Sequence, residues 1–177
     1  MDTFTVMFWF CVFTHANYGG GISILATPET ASGLAAIIDK ASISNPSTHA
    51  FPADQMPILD VQDIPGKGLG VIAQQRIRRG ALLLHDHARV LADVRFPQYV
   101  RRTQGQTLLH KATGRLPVPD DVRGLSRSVD AKLGEARGVL EENVLSTNSF
   151  AATVDGVAYM ALFPKIARIN HACNPTY

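Results

Sequence analysis

The chain has 177 residues, 46% hydrophobic, 18% charged and 7% aromatic, with 14 Gly and 10 Pro. This excludes a wholly disordered, collagen-like or low-complexity chain, and the length suffices for one domain with appendages and a sizeable core. The formal charge of +2 is uneven: residues 1–60 carry one Lys against five acids, a net of −4, and residues 61–177 carry sixteen Lys and Arg against ten acids, a net of +6. The mildly basic C-terminal two-thirds favours an acidic or phosphate-bearing ligand slightly and falls short of a nucleic-acid signature, so no direct nucleic-acid partner is expected.

Phe4 to Phe13 form a nearly unbroken apolar run. It is shorter than the roughly 20 residues a membrane-spanning helix needs. It fits a signal-peptide core over residues 1–16, with Thr14-His15-Ala16 offering a cleavage point, although Asp2 stands where a positive residue is expected. A buried strand or a gene-model artefact are the alternatives. A cleaved signal would make the protein secreted, and an uncleaved chain would stay inside the cell. Cys11 and Cys173 are the only cysteines, too few for a disulfide framework or a four-cysteine zinc site.

Residues 17–57 are rich in Gly, Ser, Thr, Ala and Pro and read as a low-order linker, with a helical turn around Leu34 to Ile38. Organised sequence is expected from Ile58. Ile58 to Val61 and Leu69 to Ala73 read as strands on either side of a glycine-rich turn, and Ala81 to Leu91 as a long strand after the turn Arg78-Arg79-Gly80. From about Phe96 to residue 146 the period changes to helical. Leu108-Leu109, followed by Gly114 and Pro117, predict a helix and its stop. Leu125, Val129, Leu133, Ala136, Leu140 and Val144 recur as one helix face, weakened by Gly134 and Gly138. Asp155-Gly156 between two apolar runs predicts a hairpin. Short strands, a helical insert and further short strands define an α+β class.

Gly66-Lys67-Gly68-Leu69-Gly70 allows a close backbone approach to a ligand. It lacks the following helix that a dinucleotide fingerprint needs, and it is not a P-loop. His85 and His87 share one face of an extended segment, with Asp86 on the other, and no third metal ligand is near, so an exposed or hydrogen-bonded pair is expected. Arg76, Arg78 and Arg79, with Arg95, Arg101 and Arg102, read as solvated basic faces. Asn170, His171 and Cys173, closed by Pro175, end an apolar stretch. A Cys–His nucleophile pair there lacks both geometry and an orienting third group.

Asn170-His171-Ala172-Cys173-Asn174-Pro175 resembles the N-H-S-C-x-P-N signature of SET-domain lysine methyltransferases. The lead-in Ala161-Leu162-Phe163-Pro164 resembles the branch with MYND-containing and many fungal SET proteins. Gly66 to Ala73 resembles the opening G-x-G strand of that domain, and Ile77 to Leu84 its next turn and strand. The resemblance covers residues 58–177. It implies a β-clip of short curved strands with a helical insert over about 96–146, and S-adenosylmethionine as methyl donor. It also implies a lysine-bearing protein substrate, histone or otherwise, and a nuclear or cytoplasmic location as for related SET proteins.

By position, Lys67, Gly68 and Leu69 would offer backbone groups to the donor, and Asn170 and His171 would hold its methionine and adenine portions. Arg168 and Cys173 would be structural. Ala172 and Thr176 depart from the signature's Ser and final Asn. The family continues to a G-E-E-L-x-x-x-Y-like segment with the catalytic tyrosine, which these 177 residues lack and Tyr177 does not match. The expectation is therefore an incomplete SET domain with no catalytic residue, little or no methyl transfer, and no zinc. A non-catalytic interaction module retaining part of the fold and binding an acidic partner is the alternative, and a small secreted protein a third.

Overall fold

A computed structural model describes residues 9–44, 59–65, 68–126 and 138–169. Among the described residues seven strands and five α-helices follow in chain order: β1 (Cys11–His15), β2 (Ile22–Ala26), α1 (Pro28–Ser44), β3 (Leu59–Ile64), β4 (Gly68–Ala73), β5 (Val90–Asp93), α2 (Phe96–Tyr99), α3 (Arg102–Gly114), α4 (Asp120–Arg123), α5 (Val139–Asn148), β6 (Phe150–Val154) and β7 (Val157–Leu162). A 3₁₀ turn, Ile166–Arg168, closes the described chain. The architecture is α+β, with a five-stranded sheet in the order β1-β2-β5-β7-β6 and a separate β3–β4 hairpin. No helix among the described residues is long and apolar enough to cross a membrane.

The five-stranded sheet is covered on both faces, which explains its composition. Leu25, Val90, Ala92 and Leu162 face α2 to α5 and meet Phe96, Leu109, Ala112, Val122, Val144 and Leu145. Ile22, Ile24, Ala26, Leu91, Tyr159 and Ala161 face the other way and meet Ala31, Leu34 and Ile38 of α1. Strand β2 is buried along its whole length, as expected for a strand packed on both sides. Its one polar side chain is satisfied: Ser23 Oγ donates to the Ala112 carbonyl at 2.7 Å and lies 3.0 Å from Thr14 Oγ1. A buried hydroxyl without a partner would be costly; here it ties β1, β2 and the end of α3 together.

As far as Ser44 these elements replace the low-order linker expected over residues 17–57, and organised structure begins before Ile58; α1 contains the helical turn expected around Leu34 to Ile38, and residues 45–57 lie outside the described residues. β2 runs antiparallel to β1 and parallel to β5, with Ser23 opposite Val90 and Leu25 opposite Ala92. The short loop before β2 closes when the Gly21 amide donates to the Tyr18 carbonyl at 2.7 Å. α1 begins where Thr27 accepts the Thr30 amide on its hydroxyl at 3.4 Å and the Ala31 amide on its carbonyl at 2.9 Å, the bonding of a helix-capping residue. Pro28 then fits the first turn, where its missing N–H is no loss. The apolar run preceding residue 16 contributes β1, an edge strand whose Val12 carbonyl accepts from Arg115 at 3.1 Å.

Three further expectations meet the structure differently. The long strand expected over Ala81 to Leu91 is reduced to β5: residues 81–88 have no regular structure, and Leu82 and Leu83 stay exposed. The ladder begins only at Arg89, whose carbonyl accepts from Ser23 and whose amide donates to the Leu162 carbonyl, each at 2.8 Å. The polar His85-Asp86-His87 triplet ahead of it makes side-chain contacts instead. The continuous helical face from Leu125 to Val144 is divided. α4 ends at Arg123, α5 begins at Val139, residues 127–137 lie outside the described set, and Gly138 has a left-handed φ of 89°. The basic clusters are in part ion-paired: Arg102 meets Glu142 at 3.1 Å and Arg95 meets Asp93 at 2.6 Å.

Asp93 is fully buried at the end of β5 and accepts from the Arg95 backbone amide (2.9 Å), Nε (3.0 Å) and Nη2 (2.6 Å). Burial alone pushes its carboxyl pKa up, but these hydrogen bonds and the guanidinium charge outweigh it and hold the group below its ordinary value. The helix expected at Leu108-Leu109 with its stop at Gly114 is α3, and the Asp155-Gly156 hairpin is β6–β7, both turn residues having positive φ.

Candidate functional site

The β3–β4 hairpin is built from the glycine-rich segment. Ile64 pairs with Gly68 and Asp63 with Leu69, so Gly68 and Leu69 sit at the turn end of β4. Leu69 is half exposed and Gly70 is buried. Strand β4 packs against the 3₁₀ turn Ile166–Arg168, which the apolar strand β7 delivers from the five-stranded sheet. Two segments about 100 residues apart in sequence are thereby neighbours. Of the residues expected to hold a donor, Gly68 and Leu69 belong to strand β4. Lys67, Asn170 and His171 lie outside the described residues, as does Cys173.

The turn is held from both ends. Asp86 Oδ2 accepts the backbone amides of Lys165 at 2.6 Å and Ile166 at 3.1 Å. At the other end Arg168 Nη2 donates to the Gly124 carbonyl at 3.4 Å, beyond the C-terminus of α4. The Asp86 contacts were not readable from sequence, because they join residues 79 and 80 positions apart. The only local signal was the alternation that turns Asp86 away from its two histidine neighbours.

His85 is exposed, and its ring meets that of His87. Their ring centroids are 4.8 Å apart, edge to face, and Tyr18 packs against His87 at 5.7 Å. Among the described residues no group of three or more His, Cys, Asp or Glu could hold a metal ion. The pair sits on the rim of a cavity of about 620 Å³ between α1 and the sheet, floored by Leu34, Ile38, Leu91 and Phe163. Burial lowers the His87 pKa below the ordinary histidine value. His85, Arg89 and Lys165 add to this by charge repulsion, and Asp86 opposes it.

A histidine that is harder to protonate folded than unfolded favours the folded state at neutral pH. That contribution is present above its unfolded pKa near 6.5 and is lost as the pH falls through the lower folded value. The urea midpoint of the chain should therefore drop between pH 7 and pH 5, and drop less in His87→Gln. Equal slopes in the two proteins would remove His87 as the cause.

The chain matches no family model, no curated protein and no solved structure.

Proposed function

We propose that this chain carries the methyl-donor-binding elements of a SET-type, S-adenosylmethionine-dependent protein-lysine methyltransferase, on a SET-like β-clip with a helical insert. The observation that supports the reading is the contact between β4 and the 3₁₀ turn. It joins the segment resembling the opening G-x-G strand to the lead-in of the segment resembling the N-H-x-C signature. Gly68 has no side chain to shield its backbone, and Leu69 beside it is half exposed. This suits a backbone contact to the donor's amino-acid portion. Lys67, Asn170 and His171 complete the set by their positions in the sequence.

S-Adenosylmethionine supplies an electrophilic sulfonium methyl for transfer to a neutral lysine amine. The contribution of the protein is alignment of the two and exclusion of water.

Calorimetric titration with S-adenosylmethionine tests the reading. One saturable site is expected, competed by S-adenosylhomocysteine and weakened about tenfold by Asn170→Ala, the factor that 1.4 kcal/mol represents. No saturable binding up to about 1 mM, a bound worth only about 4 kcal/mol, would overturn it. The exposure of Leu69, Leu82 and Leu83 favours a second reading, a protein-interaction module that keeps this part of the fold without binding donor.

A further inference from the structure

We infer that Asp86 is a positioning residue for donor binding: its carboxylate fixes the 3₁₀ turn Ile166–Arg168 relative to the five-stranded sheet and so sets the point from which the chain runs on toward Asn170 and His171 in the sequence. The inference rests on the SET reading above. The first amides of any helical turn have no partner inside it. Here the turn's own bonds run from Ala167 to the Phe163 carbonyl (2.8 Å), from Arg168 to Lys165 (3.2 Å) and from Ile169 to Ile166 (2.9 Å). Lys165 and Ile166 N–H are left over, and Asp86 Oδ2 takes both, at 2.6 and 3.1 Å. Its other oxygen accepts the His87 amide at 2.9 Å. Bonds to an ionised carboxylate are shorter and stronger than neutral ones, and the preceding Pro164 has no N–H to compete.

The anchor has a fixed reference. Three residues after Asp86, Arg89 enters the five-stranded sheet, bonded on one side to Ser23 and on the other to Leu162. Arg89 Nε also pairs with Asp121 at 3.0 Å, and its Nη1 donates to the Gly19 carbonyl. The carboxylate is therefore held relative to the sheet, and the turn relative to the carboxylate. Without it, the two amides would turn to water and the turn would have to be ordered when donor binds, which weakens binding without removing any donor contact.

The test is calorimetric titration of S-adenosylmethionine into wild-type, Asp86→Ala and Asp86→Asn chains, with amide hydrogen exchange on each. Asp86→Ala should bind about tenfold more weakly, a change of 1.4 kcal/mol. Asp86→Asn keeps an oxygen for Lys165 and Ile166 and should recover most of the affinity. The Lys165 and Ile166 amides should exchange faster in Asp86→Ala, while those of Leu91 in β5 and Tyr159 in β7 stay protected. Wild-type affinity in Asp86→Ala, no rescue by Asp86→Asn, or loss of protection at Leu91 and Tyr159 would each overturn the positioning role. A wild-type chain that binds no donor would overturn the SET reading and this inference with it, and it is distinguished because wild-type protein alone gives that result.

Discussion

Gly138→Val is expected to lower folding stability by about 4 kcal/mol, the sum of a left-handed backbone cost and an overpacking cost. Gly138 stands at the start of α5 with φ 89°, and a Cβ built there runs into the carbonyl of Gln106 in α3. The obstacle is backbone inside a helix, so it cannot rotate aside. Either α5 loses its first turn or α3 and α5 move apart. The second course opens the contact among Leu109, Val144 and Leu145 and disturbs Glu141, a buried carboxylate that meets Arg123 at 3.0 Å and His110 at 3.2 Å. Gly156→Ala separates the two costs. Gly156 has φ 74° and nothing within 4 Å of its built Cβ, so only the backbone cost of about 1–2 kcal/mol applies. Urea unfolding of both variants checks the argument, and equal effects would show that the Gln106 contact contributes nothing.

The next largest effect is expected from Leu25→Ala, about 3 kcal/mol, from the lost transfer of a buried leucine and the cavity left behind. Leu25 is fully buried in β2 and packs in the cluster that includes Val90, Leu109, Leu116 and Leu162. Strands flank it on both sides and helices cover it, so the site has little room to collapse. The same measurement weighs the strand against the linker reading of this segment. A leucine in a low-order linker would change stability by less than about 0.5 kcal/mol, and a change that small would remove β2 from the core.

Legibility of the sequence followed the kind of signal each element carries. The β6–β7 hairpin was readable because Asp155-Gly156 supplies two positive φ values between apolar runs, and α3 because Gly114 and Pro117 stop a helical pattern. β2 was not, because Ile22-Ser23-Ile24-Leu25-Ala26 is buried on both faces and so has no alternation. Its setting of Gly, Ser, Thr and Ala then suggested a linker. The start of α1 was legible in Thr27-Pro28-Glu29, a capping residue, a first-turn proline and a first-turn acid, and composition obscured it. The helical face from Leu125 to Val144 kept its period across Gly138, a position where the backbone does not continue as helix. Near the candidate site the β3–β4 hairpin could be read because a glycine-rich turn between apolar runs is a local pattern. Asp86 could not, because its role is defined by the amides of Lys165 and Ile166.

The parallel pairing of β2 with β5 has a consequence for synthesis. When β2 leaves the ribosome β1 can already pair with it, and its other edge waits for β5, with residues 27–89 still to be made. At about 5–20 residues per second that interval is roughly 3–13 s. For that time the nascent chain exposes an apolar Ile-Ser-Ile-Leu-Ala edge, of the kind that pairs with other chains. α1, made next, can shield one face of the strand but not its edge. Slowed synthesis between Thr27 and Arg89 would lengthen this exposure.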